Sequence, residues 1–166
     1  MEINMAKQKT EQNTKHLREN EKKWTKPLLD AGWTMIPNVI FERQKALGLD
    51  AIDINILLHL ASYWWKAGDL PHPGKKRIAD AIGREPRTIQ RRIARMEAGG
   101  LIRRIERRVP GVGSKTNLYE FTGLITEATP FAAEKIQERK ALEAARDAKA
   151  SKKGKSKLRV VPKTTD

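Results

Sequence analysis

The sequence contains no cysteine, and this absence excludes disulfides and thiolate metal sites. It also lacks an apolar run long enough to cross a bilayer as a helix, because the richest apolar stretch, residues 54–65, is short and interrupted by polar side chains. The first thirty residues lack the apolar segment of a secretory signal. We therefore expect a cytoplasmic protein with no membrane span, no metal site and no cofactor.

Positive charge is what the sequence has in excess. Its 166 residues carry a formal net charge of +14, yet 39% of them are hydrophobic, so the chain is basic and still apolar enough to fold. Residues 71–124 hold thirteen Lys or Arg against five Asp or Glu, whereas residues 31–70 are nearly neutral. Because the basic block also has apolar residues at regular spacing, it predicts a folded basic surface with a polyanionic partner.

The first part of the chain divides into a polar segment and the start of a domain. Residues 1–30 are polar and lack sustained periodicity, so we expect a mobile or weakly helical segment. Asp50 is suited to cap a helix over residues 51–66, with Asp53 in its first turn. That helix is apolar on two faces, which suits burial in the core and leaves one face for a second subunit.

Two short helices around a tight turn form the most specific pattern of the chain. Gly74 opens a helix over residues 75–82 and Gly83 ends it. Pro86 suits the first turn of the next helix. Its apolar residues recur at helical spacing: Ile89, Ile93 and Met96. A strand over 101–109, a turn over 110–115 and a strand over 116–121 follow. The pattern predicts a helix-turn-helix with a two-stranded wing.

The last part of the chain predicts a helix and a tail. Thr129 and Pro130 are typical of an N-cap and first turn, and the Ala, Glu, Lys and Arg-rich residues after them extend a helix to about residue 150. The fold class is thus mainly α with a small β-hairpin, a winged helix-turn-helix with a C-terminal helix and flexible basic tails. Four parts result: a mobile segment 1–30, a winged helix-turn-helix domain 31–128, a helix 129–150 and a disordered basic tail 151–166.

The second helix of the pair carries side chains that suit DNA. Arginine can donate two hydrogen bonds to guanine, glutamine can pair with adenine, and threonine can contact a thymine methyl or a phosphate. The candidate recognition residues are Arg84, Arg87, Thr88, Gln90, Arg91 and Arg95. The candidate wing contacts are Arg107, Arg108 and Lys115. Lys75 and Lys76 are candidate phosphate contacts, with ordinary solvent exposure as an equal alternative.

A resemblance to known modules adds to this pattern. The segment KRIADAIGREPRTIQRRIARMEAGGLIRR, residues 76–104, resembles the helix-turn-helix modules of phage and plasmid replication proteins and related bacterial winged-helix regulators. The resemblance extends over residues 33–124 and implies binding of double-stranded DNA. Its main carriers are Arg87-Thr88, Gly100-Leu101-Ile102, Trp33 to Asn38 and Thr116 to Tyr119. Such modules usually have Ser or Thr before each DNA-proximal helix, whereas this chain has Gly74 and Glu85, so an acid lies near the phosphates.

Three functions compete at this stage. The leading hypothesis is a sequence-specific DNA-binding regulator of transcription on a bacterial mobile element, acting as a homodimer at the nucleoid. Replication initiation, with recruitment of replication machinery, is the first alternative, and it is less favoured because no nucleotide-binding loop is present. RNA or ribosome binding is the second, without an RNA-specific motif. No catalytic cluster is recognisable, so we do not expect an enzyme. Trp64 and Trp65 are interpreted as core or dimer packing.

Overall fold

The computed structural model describes residues 19–111 and 113–153, without the side chains of residues 109, 114 and 151–153. The elements follow in this order: α1 Lys26–Asp30, α2 Asn38–Glu42, α3 Ala51–Ala61, α4 Lys75–Ile82, α5 Pro86–Ala98, β1 Arg103–Val109, β2 Gly113–Glu120 and α6 Thr122–Lys153. Residues 19–24 are also helical. Of the predicted mobile or weakly helical segment 1–30, residues 1–18 lie outside the described part and the rest is largely helical.

The start of α3 is held by two aspartates that cap it reciprocally. The Asp50 carboxylate accepts hydrogen bonds from the backbone N–H of Ile52 at 2.9 Å and of Asp53 at 3.1 Å. In return, the Asp53 carboxylate accepts from the Asp50 backbone N–H at 3.0 Å. This capping box satisfies N–H groups that have no partner inside the helix. The predicted N-cap is confirmed.

The end of α3 lies earlier than the sequence predicted. The helix stops at Ala61 rather than Lys66. The Trp64 ring stacks on Phe121, with the two centroids 5.2 Å apart, so the chain leaves the helical path to bury this ring. Trp65 is 72% exposed, so it does not pack in the core, and packing against a second subunit stays a prediction for it. The two neighbouring tryptophans thus have different environments, which their adjacency in the sequence concealed.

The helix pair α4 and α5 has the predicted bounds. Helix α4 ends at Gly83, whose φ of 69° lies in the left-handed region that side chains with a Cβ adopt at a cost. Pro86 occupies the first turn of α5, where its missing N–H costs nothing. Ile89 and Ile93 are fully buried, and α4 contributes the buried Ile78 opposite them. These residues hold α5 on the domain with its other face in solvent.

The hairpin pairs β1 and β2 antiparallel. The register runs from Arg103 opposite Glu120 to Val109 opposite Gly113, with an irregularity between Ile105 and Arg107. Residues 113–115 therefore belong to β2, and the predicted turn over 110–115 was too long. Leu101 and Ile102, predicted as the start of the first strand, are buried before it. The backbone N–H of Tyr119 donates to the Pro71 carbonyl at 2.9 Å, which ties the hairpin to the helices.

Helix α6 begins at Thr122, and the prediction that it begins at Thr129 is wrong. Pro130 lies inside the helix. The first turns of α6 bury Leu124 and Ala128 in the core, and burial of these apolar groups favours helix well before the proline. The Leu124 N–H donates to the Leu101 carbonyl at 2.7 Å. The boundary that was placed after residue 128 thus falls within a helix, and residues 151–153 belong to that helix rather than to the tail. Residues 154–166 lie outside the described part.

The middle of α6 packs on α2 through charged and aromatic contacts. Lys135 pairs with Glu42, and Arg43 pairs with Glu134 at 3.3 Å. The Arg43 guanidinium also lies over the Phe131 ring, 5.8 Å from its centroid. The side chains of residues 133–150 are exposed.

No helix in the described part of the chain is long and apolar enough to span a membrane.

Candidate nucleic-acid interface

The solvent face of α5 carries three polar side chains with unused hydrogen-bonding groups. Arg87, Gln90 and Arg91 are exposed, while Ile89 and Ile93 on the same helix are buried. Helical periodicity sets this division, because positions 89 and 93 lie one turn apart on one side. Among residues 19–111 and 113–153, no side chain pairs with Arg87, Gln90 or Arg91. The arrangement leaves these donors available to an external ligand.

The flanking recognition candidates are placed less uniformly. Thr88 is half-buried, and Arg84 is exposed in the turn between α4 and α5. Glu85 is the N-cap of α5, and its exposed side chain makes no capping hydrogen bond. An uncompensated carboxylate at this position opposes the approach of a phosphate. The acid noted in the sequence therefore lies next to the candidate surface, as its position predicted.

Arg95, another of the candidate recognition residues, differs from these side chains because it has a partner within the protein. It pairs with Asp53, and Arg92 pairs with Asp50, so two arginines of α5 lie against the capping aspartates of α3. We call these four residues the acid–arginine cluster. Sequence reasoning assigned no partner to Arg92. The signal that could have found the cluster is the shared spacing of three residues in both pairs, which places each pair on one face of its helix.

The cluster also sets the ionisation of Asp50. Burial raises the pKa of this carboxyl, but the Asp53 backbone N–H and the Arg92 guanidinium outweigh burial, so the pKa lies below its usual range. Asp53 is fully buried, and its Oδ1 accepts no hydrogen bond in the described structure. An ionised carboxylate in such a place requires nearby cations. The cluster is therefore held together by charge.

The wing residues differ in how much of their charge is available. Arg107 donates from Nε to the Thr116 carbonyl at 2.8 Å and from its terminal nitrogen to Thr116 Oγ1 at 2.9 Å, so it braces the two strands. Arg108 is 85% exposed, with Glu106 at 3.7 Å. Lys115 is exposed and lies opposite Arg107 in the ladder. Of the two candidate wing arginines, Arg108 is thus the more accessible.

An ion pair between Glu97 and Arg104 connects the wing to α5. Glu97 accepts from the Arg104 backbone N–H at 3.0 Å and from its Nε at 2.6 Å. Burial raises the pKa of Glu97, but the hydrogen bonds from Arg104 outweigh it and hold the pKa below its usual range. The hairpin and α5 are therefore fixed relative to one another where β1 begins.

The start of α4 presents its cations beside the hairpin. Lys76 is exposed and Lys75 is half-buried, both following the N-cap Gly74. The Arg77 guanidinium lies 5.4 Å from the centroid of the Tyr63 ring, a cation–π contact.

Within the described residues, no group of three or more His, Asp or Glu side chains could hold a metal ion.

Comparison with known proteins finds a match to the segment that contains this geometry. Residues 47–102 match a family model described as a helix-turn-helix domain. The chain contains a helix-turn-helix domain. The matched segment spans α3, α4 and α5 and ends before β1, and the β1–β2 hairpin completes a winged helix-turn-helix. The predicted winged helix-turn-helix with a C-terminal helix is confirmed, and the predicted tails lie largely outside the described residues.

Two solved structures are similar to the chain. One is the N-terminal domain of the DnaD protein from Geobacillus kaustophilus HTA426, with 17% identity, a TM-score of 0.48 and coverage of 74% of this chain and 96% of that chain. The other is the transcriptional regulator PA3341, with 19% identity, a TM-score of 0.36 and coverage of 82% and 98%. No curated protein sequence matches the chain.

Proposed function

We propose that the protein binds double-stranded DNA, with α5 of the helix-turn-helix domain in the major groove. The observation that carries this proposal is the exposed set of Arg87, Gln90 and Arg91, unpaired among the described residues, on the face of α5 opposite its buried residues. The major groove is about 12 Å wide and admits one helix, and arginine and glutamine match the edges of guanine and adenine. The helix-turn-helix match supports DNA binding independently of this geometry.

Phosphate contacts would supply the affinity that does not depend on sequence. Lys76 at the start of α4 and Arg108 on the wing are exposed on elements that border α5. Lys75 and Lys115 are assigned the same role, as the sequence suggested. Each phosphate neutralised by such a cation releases counterions, so binding should weaken steeply with salt.

In the cell, we propose a regulator of transcription on a bacterial mobile element, bound as a homodimer to paired half-sites at the nucleoid. The resemblance of residues 76–104 to phage and plasmid modules supports the mobile-element context. Mapping of occupied DNA in cells tests this role. Occupancy at promoters with changed transcript levels would support it, whereas melting of an origin or recruitment of a helicase would replace regulation by replication initiation.

The molecular proposal is tested on a site selected from random duplexes. Arg87→Ala or Gln90→Ala should weaken binding to that site by about 1 to 3 kcal/mol, or roughly 5- to 150-fold, if the side chain contacts a base. Arg146→Ala is the matched control, because Arg146 is an exposed arginine on α6 with no partner in the described structure. If the recognition variants and the control lose affinity equally, α5 does not read the site.

A nucleic-acid competition separates DNA from RNA. Wild-type protein is titrated with the selected duplex against structured RNA of equal length at matched salt. Preference for the duplex is the expected result, since an α-helix enters the major groove of B-form DNA but not the deep, narrow groove of A-form RNA. Preference for the RNA would overturn the proposal.

A further inference from the structure

The acid–arginine cluster has a closed geometry between α3 and α5. Asp50 contacts Arg92 and Asp53 contacts Arg95. The diagonal separations are equal: Arg92 lies 3.7 Å from Asp53 Oδ1, and Arg95 lies 3.7 Å from Asp50 Oδ2. Each cation therefore faces both acids, and the two helices meet through four charges rather than through one pair.

Burial makes this arrangement asymmetric. The Asp53 side chain is fully buried, whereas the side chain of Arg95 is 51% exposed. Asp53 has no access to water, so its charge must be balanced by the cluster, and the loss of a guanidinium would leave a buried anion uncompensated. Arg95 has access to solvent on its outer side. Exchange of these internal partners for an external phosphate would therefore carry the cost of an unpaired buried carboxylate.

The cluster lies directly beside the unpaired part of α5. Thr88, Arg91, Arg92 and Arg95 line one shallow depression on the protein surface. Arg91 in this depression has no partner in the described structure, while Arg92 and Arg95 are paired. Two kinds of arginine, committed and uncommitted, are therefore neighbours on the face that the proposed function presents to DNA.

Resting on the proposed function, we propose that Asp50 and Asp53 are positioning residues for DNA binding. They fix the orientation of α5 on α3 and retain Arg92 and Arg95 within the protein, so these two cations do not contact phosphate. Sequence-specific contacts are left to the uncommitted side chains of α5. Without this retention, two more cations beside the groove would raise affinity for any duplex and reduce discrimination.

Salt titrations of the full chain on the selected site and on a random duplex test this assignment. Arg91→Gln removes an uncommitted cation from the proposed interface and should reduce the slope of log K against log salt by about 1, the change expected when one fewer cation lies near the phosphates. Arg95→Gln removes the same charge from the same depression and should leave the slope unchanged. Thermal unfolding of both variants, recorded in parallel, verifies that each is folded.

Release of a retained arginine gives the complementary test. Asp50→Asn keeps a good N-cap acceptor but removes the charge that faces Arg92. This variant should steepen the salt slope by about 1 and reduce the affinity ratio of selected to random duplex by several-fold. Adding Arg92→Gln to Asp50→Asn should restore the wild-type slope, a rescue that loss of helix capping alone would not produce.

The outcomes separate the two proposals. An equal loss of slope in Arg95→Gln and Arg91→Gln would show that Arg95 contacts phosphate and would overturn the inference while leaving DNA binding intact. An unchanged slope and ratio in Asp50→Asn would overturn it as well. If the wild-type protein binds no duplex in a salt-dependent way, the proposed function fails, and the inference fails with it.

Discussion

Replacing Gly123 by alanine should destabilise the protein more than the same change at any other glycine that the structure describes. Gly123 is in the first turn of α6, next to the chain segment that follows α5. A Cβ built on Gly123 would lie 1.7 Å from the Gly100 carbonyl oxygen and 3.2 Å from the Leu101 carbonyl oxygen. These atoms are backbone, so no side-chain rotation relieves the overlap, and α6 must move.

The cost follows from what that movement disturbs. To reach even 3.0 Å, a distance below which real Cβ atoms are essentially never found, the helix start must move by more than 1 Å. The hydrogen bond from the Leu124 N–H to the Leu101 carbonyl is 2.7 Å long and would be lost, at about 1 kcal/mol. Displacement of the buried Leu124 adds an overpacking penalty of about 1 to 3 kcal/mol. We expect a total of about 2 to 4 kcal/mol.

Thermal and urea unfolding measure this loss. For a chain of this size, about 3 kcal/mol corresponds to a fall in Tm of roughly 6 to 12 °C. Gly68→Ala is the matched control, because Gly68 has no positive φ and no atom within 4 Å of its added Cβ. A Tm for Gly123→Ala equal to that of Gly68→Ala would refute the close packing of α6 on the domain.

Three further predictions concern the helix-turn-helix domain itself. Ile93→Ala removes a fully buried side chain beneath the recognition surface and should reduce the free energy of unfolding by about 2 to 5 kcal/mol in urea titrations. Gly83→Ala should reduce it by about 1 to 2 kcal/mol, because φ is 69° there although the space for a Cβ is open; no loss would contradict the left-handed turn. Glu97 has a lowered pKa in the folded state, so its contribution is present above the usual glutamate pKa and is lost as the pH falls through the folded value. As the pH falls below the usual glutamate pKa, the wild type should therefore lose stability faster than Glu97→Gln, and parallel losses would argue against the pair with Arg104.

The helix-turn-helix was predictable because its signals are local. Gly83 needs a left-handed conformation, Pro86 suits a helix start, and the apolar residues of α5 recur at the helical period. Each of these signals acts within a few residues of its own position, so the bounds of α4 and α5 agree with the prediction. The cap at Asp50 is predictable for the same reason.

The errors lie where distant contacts override local preference. Trp64 leaves the path of α3 to stack on Phe121, which follows 57 residues later in the chain. Thr129 and Pro130 are good helix-start residues, but burial of Leu124 begins α6 earlier. In both cases, the deciding partner is remote in sequence, and periodicity within one segment carries no information about it.

The candidate interface shows the same division between sequence and tertiary structure. The residue types and the helical period alone determined that a basic helix presents Arg87, Gln90 and Arg91 to solvent. The period of about 3.6 residues places the apolar positions of α5 on one face and these polar positions on another. Only the tertiary structure decided which arginines of that helix are committed. Arg95 belongs to the acid–arginine cluster because α3 brings the buried Asp53 beside it, and the pairing of charges depends on separation in space rather than along the chain.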